Sequence, residues 1–228
     1  MKLVKKGTHS HRGVVGIESA IVMIAFVIVA AALAFVVLNM GFGSSQQAKT
    51  TIVSSLGEAS SALQISGKVI GSGDVLAEIP SLNVTAFPIK VVSGGSSVNL
   101  NTATTTIKYI SDELTLDNIY NGTLSSTSYI NLKAALTAAK SAGILDVNPY
   151  VDNAHPSKTV AIVYWSVNNN NNAILDEGEH AVLAIIYEDT ERPKSLETVR
   201  AEIIGPTGPA LTAKRIVPSI TTELVDMG

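Results

Sequence analysis

The sequence predicts an α+β protein: one long N-terminal hydrophobic α-helix followed by an antiparallel β-sandwich. Three observations predict it. Val14–Met40 is an apolar run whose only charge is Glu18. A helical apolar stripe continues beyond it to Ser66, with no proline between Ser44 and Ser66. From residue 67 onward the chain changes to short β-rich segments punctuated by Gly, Ser, Asn and Pro.

The chain begins with a basic head. Residues 1–13 carry Lys2, Lys5, Lys6 and Arg12 and no acidic residue. Removing those four from the 16 Lys+Arg leaves 12 against 19 Asp+Glu, so the remainder is near −7 while the whole chain is −3. A basic head, an apolar run and an acidic body predict an orientation with the head inside and the body outside. The run is 27 residues long, above the ~20 helical residues that cross a bilayer. It is also too long for a secretory signal, whose apolar region is about 7–15 residues.

Ala48, Ile52, Leu56, Ala59 and Leu63 recur at steps of four, four, three and four, which places them on one helix face. Ser66-Gly67 supplies a stop. Residues 14–66 would then form one helix of roughly 80 Å at ~1.5 Å per residue. Such a helix exceeds what a membrane anchor needs, so its upper part has to pack against something outside the bilayer. The run is rich in alanine, and Gly16–Ala20 is a small-xxx-small step that permits close helix approach. An ordinary lipid-facing anchor also tolerates alanine, and composition alone leaves both readings open.

The outer segment reads as strands at Val84–Val92, Val98–Tyr109, Thr159–Val167, His180–Tyr187, Thr198–Ile204 and Leu211–Val217. One helical stretch, Leu132–Ala142, interrupts them. Strands of this kind, apolar on at least one face, suggest a sandwich. Asp112-Glu113 and Glu188–Arg192 read as solvated loops.

Several function classes are excluded or weakened. The chain has no cysteine, hence no disulfide framework, thiol nucleophile or cysteine metal site. At 46% hydrophobic and 15% charged it is not a disordered chain. No basic excess marks a nucleic-acid surface. P-loop, GxGxxG, HExxH and GxSxG motifs are absent, and His155 and His180 are isolated. No enzyme is expected.

The junction Arg12-Gly13-Val14-Val15-Gly16-Ile17-Glu18 resembles the leader junction of the type IV pilin superfamily. Within it, the basic-Gly pair, Gly16 and the helix IESAIVMIAFVIVAAALAFVVLNMGF are most similar to archaeal flagellins (archaellins). Leu175–Glu179 and Ile204-Gly205-Pro206-Thr207-Gly208-Pro209 resemble the tail of archaellin β-domains. The resemblance implies a leader over residues 1–13, cut after Gly13, with Arg12, Gly13 and Val14 forming the site. Lys6-Gly7 is a second basic-Gly pair, but polar Thr8-His9-Ser10 follows it, which argues against a cut there. The resemblance also implies a filament core helix at 14–66 and an immunoglobulin-like outer domain at 67–228.

Gly16, Glu18, Ala20, Ala31, Leu33, Phe35 and Phe42 are the candidate helix-packing residues. Glu18 would be the fifth mature residue. The resemblance implies that it meets the N-terminal amine of Val14 on a neighbouring copy; the plainer reading is a carboxylate that favours the helix N-terminus. The implied partners are other copies of the chain, a leader peptidase, an assembly ATPase and a membrane platform protein. The implied destination is an extracellular filament, reached from a precursor in the cytoplasmic membrane. Swimming, as an archaellum, is the leading expectation. The alternatives are an adhesive pilus and a permanently anchored surface binding protein.

Two sequons, Asn83-Val84-Thr85 and Asn121-Gly122-Thr123, are candidate N-glycan acceptors, and Asn-Gly at 121 suggests an exposed turn. No cofactor is expected beyond a weakly bound Ca²⁺ ion. Asn168, Asn170, Asn172, the Ile174 carbonyl, Asp176 and Glu179 fall at the 1, 3, 5, 7, 9, 12 spacing of a calcium loop. Ala173 replaces the usual glycine and asparagines replace the early aspartates, leaving two carboxylates. A polar connector between strands is the competing reading.

Overall fold

The structure is a computed structural model that describes residues 12–228 except 61, 76, 78 and 153. It divides into two units, Met1–Ser54 and Ser55–Gly228.

The first unit is dominated by α1 (Arg12–Ser60), a single helix with no break at Gly41 or Gly43. Its length is about 74 Å at ~1.5 Å per residue. The long run of Ile, Val, Ala and Leu lacks proline, and a helix satisfies every backbone group internally, which is what an apolar environment demands. It ends earlier than the sequence suggests. The apolar spacing that continued to Ser66 is broken: Leu63–Ile65 form strand β1, paired with the end of a later strand through Leu63↔Val91 and Ile65↔Ile89. Sheet pairing captures Leu63 because a three-residue edge gains both backbone bonds and apolar contact there.

The second unit is a sandwich with a helical cover. One sheet, seven-stranded among the described residues, contains β1, β2 (Ile70–Asp74), β3 (Ser81–Val91), β7 (Tyr120–Ser128), β8 (Val160–Val167), β10 (His180–Ile186) and β13 (Leu224–Asp226). Its main order is β13-β2-β3-β10-β8-β7. The second sheet runs β12-β11-β5-β6, from β5 (Thr106–Ile110), β6 (Thr115–Leu116), β11 (Thr198–Ile204) and β12 (Leu211–Ile216). A two-stranded ladder joins β4 (Val98–Asn99) to β9 (Ile174–Leu175).

The inner faces of the two large sheets meet in the main core. Phe87, Ile89, Trp165, Leu183 and Ile185 come from one sheet, and Ile107, Tyr109, Val199, Ala201 and Ile203 from the other. The central strands β8 and β10 are buried on both faces. Val160, Ile162, Tyr164, Ala184 and Ile186 point the opposite way, into a second core closed by Ala135, Leu136 and Ala139 of α2 (Leu132–Ser141). Asn131 caps α2, its Oδ1 accepting from the Ala134 amide at 2.8 Å, and Gly143 at φ +71° turns the chain at the far end. A short helix α3 (Pro149–Asp152) follows, tied to α2 by the Lys140–Asp152 ion pair.

The antiparallel sandwich therefore stands, with departures from the sequence reading. The segment Val98–Tyr109 is two strands. Asn101 winds a turn between them, with its Oδ1 accepting from the Ala103 amide at 2.9 Å and its carbonyl from the Thr105 amide at 2.9 Å. The predicted Val84–Val92 strand begins at Ser81. Strands β2, β7 and β13 have no counterpart in the sequence reading. Asn121-Gly122 lies inside β7 and not in a turn, and β7 runs parallel to β8, with α2 and α3 in the crossover that parallel pairing requires.

Candidate assembly helix and outer-domain sites

Around α1 every described side chain between Gly16 and Val53 is exposed. Leu33 is 62% exposed, Phe35 68% and Phe42 71%. Gly16, Glu18, Ala20 and Ala31 are exposed as well. A Cβ built at Gly16, Gly41 or Gly43 would meet no atom within 4 Å, so no neighbour among the described residues explains those glycines. Apolar side chains point in all directions from the helix, which marks a buried or membrane-embedded environment. Gly16–Val53 is long and apolar enough to cross a membrane. Arg12, Gly13 and Val14 form the first turn of α1. The rest of the expected leader, residues 1–11, lies outside the described residues.

The two sequons sit in different surroundings. Asn83 is the extra residue of a β-bulge: Ser72 pairs with Val84 and Gly73 with Leu82, so Asn83 has no opposite number. Its half-buried side chain is turned to Arg192, whose Nη1 donates to Asn83 Oδ1 at 3.1 Å. Asn121 is exposed, and its Nδ2 donates to the Ile144 carbonyl.

The sequence reading missed the group around Arg192. Its guanidinium, only 14% exposed, also reaches Asp74 at 3.2 Å and Asp189 at 3.0 Å, and His155 Nε2 lies 3.7 Å from the same Asp189 oxygen. Burial, then the Arg192 charge, hold the His155 pKa below its usual 6.5 despite that carboxylate. A cleft of about 440 Å³ beside Asp74, Asn83, Tyr150 and His155 opens next to the cluster. The Glu188–Arg192 segment is therefore not simply a solvated loop, since its Arg192 side chain is largely covered, and no sequence signal links residues so far apart.

The Asn-rich loop is wound by its own side chains. Asn168 Oδ1 accepts from the Asn170 and Asn171 amides at 3.2 and 2.7 Å, Asn170 Oδ1 from the Asn172 amide at 3.2 Å, and Asn172 Oδ1 from the Ile174 amide at 2.7 Å. Asn171 and Gly178 adopt left-handed φ values of 55° and 87°. Glu179 is 1% exposed, and its two oxygens accept from the Asn169 amide at 2.8 Å and the Asp176 amide at 3.1 Å. Asp176 accepts from Asn170 Nδ2 at 2.5 Å. The residues predicted at ligand spacing thus share one loop. Among the described residues, no group of three His, Cys, Asp or Glu side chains could hold a metal ion. Any cation there would rely on amide and backbone oxygens beside Asp176 and Glu179.

An unpartnered apolar helix attached to a β-sandwich with its own core defines a class: a subunit whose apolar surface is completed by lipid or by other chains. The archaeal-type flagellin family matches residues 13–215. A probable flagellin 1 of Aeropyrum pernix is 34% identical over 209 residues, covering 91% of this chain and 93% of that protein. Flagellin FlaB2 of Saccharolobus shibatae is 33% identical over 166 residues, 65% of this chain and 54% of that one. In fold, the chain resembles the archaeal flagellum of Methanospirillum hungatei, with TM-score 0.60, 20% identity and coverage of 93% and 99%. It also resembles crystalline flagellin FlaB1 of Methanocaldococcus jannaschii, with TM-score 0.57, 14% identity and coverage of 73% and 96%. The chain belongs to the archaeal-type flagellin family, and it is a structural, non-enzymatic filament subunit of the archaellum.

Proposed function

We propose that the chain is made as a precursor in the cytoplasmic membrane, cut after Gly13 by a leader peptidase, and polymerised through α1 into the core of an extracellular swimming filament. The observation that carries this reading is the unbroken, fully exposed apolar helix. Cleavage removes Lys2, Lys5, Lys6 and Arg12. Fixed charges are costly in hydrocarbon, so their loss lets the helix leave the bilayer. An assembly ATPase and a platform protein drive that exit. In the bundle, α1 exchanges lipid contacts for close-packed neighbours, and once outside the bilayer that packing keeps its apolar surface from water, at ~25 cal/mol per Å². Gly16 and Ala20 bring helices close, Ala31, Leu33, Phe35 and Phe42 fill the contacts, and Glu18 accepts from the new amine of Val14 on a neighbour.

Mass spectrometry with N-terminal peptide mapping of filaments sheared from cells tests this reading. A mature chain beginning at Val14 is expected. A protein retained in membranes with residues 1–13 intact overturns it and favours an anchored surface binding protein. The same spectra are expected to place glycans on Asn121, which is exposed, in preference to Asn83, which is half-buried at a bulge.

The Asn168–Glu179 loop is proposed as a weak calcium site, supported by its spacing, its winding and the buried Glu179. Affinity on the order of 10⁻⁴–10⁻³ M suits an extracellular module. At ten times Kd, calcium then adds about 1.4 kcal/mol of stability. Equal unfolding midpoints in excess Ca²⁺ and in EDTA would remove the assignment.

A further inference from the structure

Between Gly16 and Gly57, α1 carries two charges of opposite sign, Glu18 and Lys49, and both are exposed. Each lies within an apolar face. Glu18 is flanked at helical spacing by Ile21, Val22, Ala25 and Val29, and Lys49 by Ile52, Val53 and Leu56. These neighbours are exposed in the isolated chain, so whatever covers them also covers the charges. A charge taken out of water needs a partner of opposite sign. No such partner lies within helical reach of Lys49 on the same helix face, because Asp or Glu is absent from positions 45, 46, 52 and 53.

The helix is continuous from Arg12 to Ser60, which makes the separation of the two charges a fixed length. Thirty-one positions at ~1.5 Å each give about 46 Å along the axis. At 3.6 residues per turn they point about 140° apart around it. They therefore address two different neighbours, as an open head-to-tail assembly requires and a self-paired dimer does not.

We infer that in the polymer Glu18 of one copy pairs with Lys49 of another copy displaced by about 46 Å along the axis, so that this ion pair sets the axial stagger of the core helices. The pairing rests on the filament reading above and gives Glu18 a second cation beside the Val14 amine. A carboxylate has lone pairs for both. The stagger lays residues 14–29 of one helix against residues 45–60 of the next, where Ala48, Ile52 and Leu56 offer an apolar stripe.

The test is a charge swap in the full-length protein, expressed in cells that lack their own copy. Sheared filaments are quantified and the mature N-terminus is checked for every variant. Glu18→Lys and Lys49→Glu are each expected to reduce filament yield roughly tenfold or more. The double variant is expected to exceed both single ones but stay below wild type, because a lysine at position 18 still faces the Val14 amine. Glu18→Gln and Lys49→Gln guard against a variant that fails at insertion or cleavage. Their effects on the filament melting temperature are expected to be non-additive. A double swap no better than the single ones despite normal processing, or additive neutral variants, overturns the pairing. Absence of filaments from the wild-type chain would instead overturn the filament reading itself.

Discussion

Single side chains in the outer domain set its response to acid. His155 is held below its usual pKa by burial and by Arg192. The folded state therefore favours the neutral ring, while the unfolded chain takes up a proton near pH 6.5. Stability from this group is full above that value and is lost as pH falls toward the folded pKa. The Asp152 carboxyl is held down first by Lys140 and then by the Asn148 amide, and Asp226 by Lys68 and the Gly228 amide. Their contributions are present above the unfolded carboxyl range, near 3.8, and are lost only as pH falls through their lowered values. Two steps of acid destabilisation are expected in melting temperatures of detergent-solubilised protein, and His155→Gln should remove the upper one alone. Gly122 has a packing role: a Cβ there would lie 2.3 Å from Ile144 Cγ2. Gly122→Ala is expected to cost about 1–3 kcal/mol in denaturant titration, and unchanged stability would refute the tight packing. The candidate loop from Asn168 to Glu179 was legible because its residues are contiguous. The Arg192 cluster was not, because Asp74, Asn83, His155 and Asp189 meet only after the chain has crossed the sheet several times.

Elements read from the sequence fared according to their source of stability. Strand β11 spans Thr198–Ile204 as expected, and β8, β10 and α2 agree to within a residue, because apolar period and local propensity point the same way. The strand β2, Ile-Gly-Ser-Gly-Asp, carries almost no strand propensity. It forms because the sandwich needs a thin strand there: a Cβ at Gly71 would come 2.8 Å from Leu82 Cδ2, and one at Gly73 2.6 Å from Ile220 Cγ2. Such tertiary demands leave no local mark, which also explains β7, paired in parallel across a crossover. For α1 the sequence carried nearly everything, since helix length and exposure follow from composition. A charge at its centre is the natural test. Ala31→Asp introduces a cost of ~2.5–3.5 kcal/mol in a membrane helix and an unpaired charge in a bundle. Sheared preparations of this variant should contain no filaments, while circular dichroism retains the β signature of the outer domain. Normal filaments would refute burial of that face.

At the scale of the molecule, two units with separate physics share one chain. The Ser55–Gly228 unit has its own core, whereas Gly16–Val53 has none of its surface buried. Deleting residues 1–54 should therefore yield a soluble monomer by size-exclusion chromatography, and the intact chain should aggregate once detergent is withdrawn. Aggregation of the truncated form would show that the outer domain lacks a self-sufficient fold. The last residues of the chain return to the first residues of the sandwich. The Val69 amide donates to the Gly228 carbonyl at 3.1 Å, the Met227 amide to the Val69 carbonyl at 2.9 Å, and Arg215 Nε to the same Gly228 carbonyl at 3.0 Å. Strand β13 pairs with β2 beside them. In a polymer, a pull along the backbone enters the outer domain through β1 and β2, and the final strand lies against β2 there. This arrangement spreads traction over several hydrogen bonds and both ends of the domain's chain, so a pull meets a knot of backbone before it reaches the apolar interior.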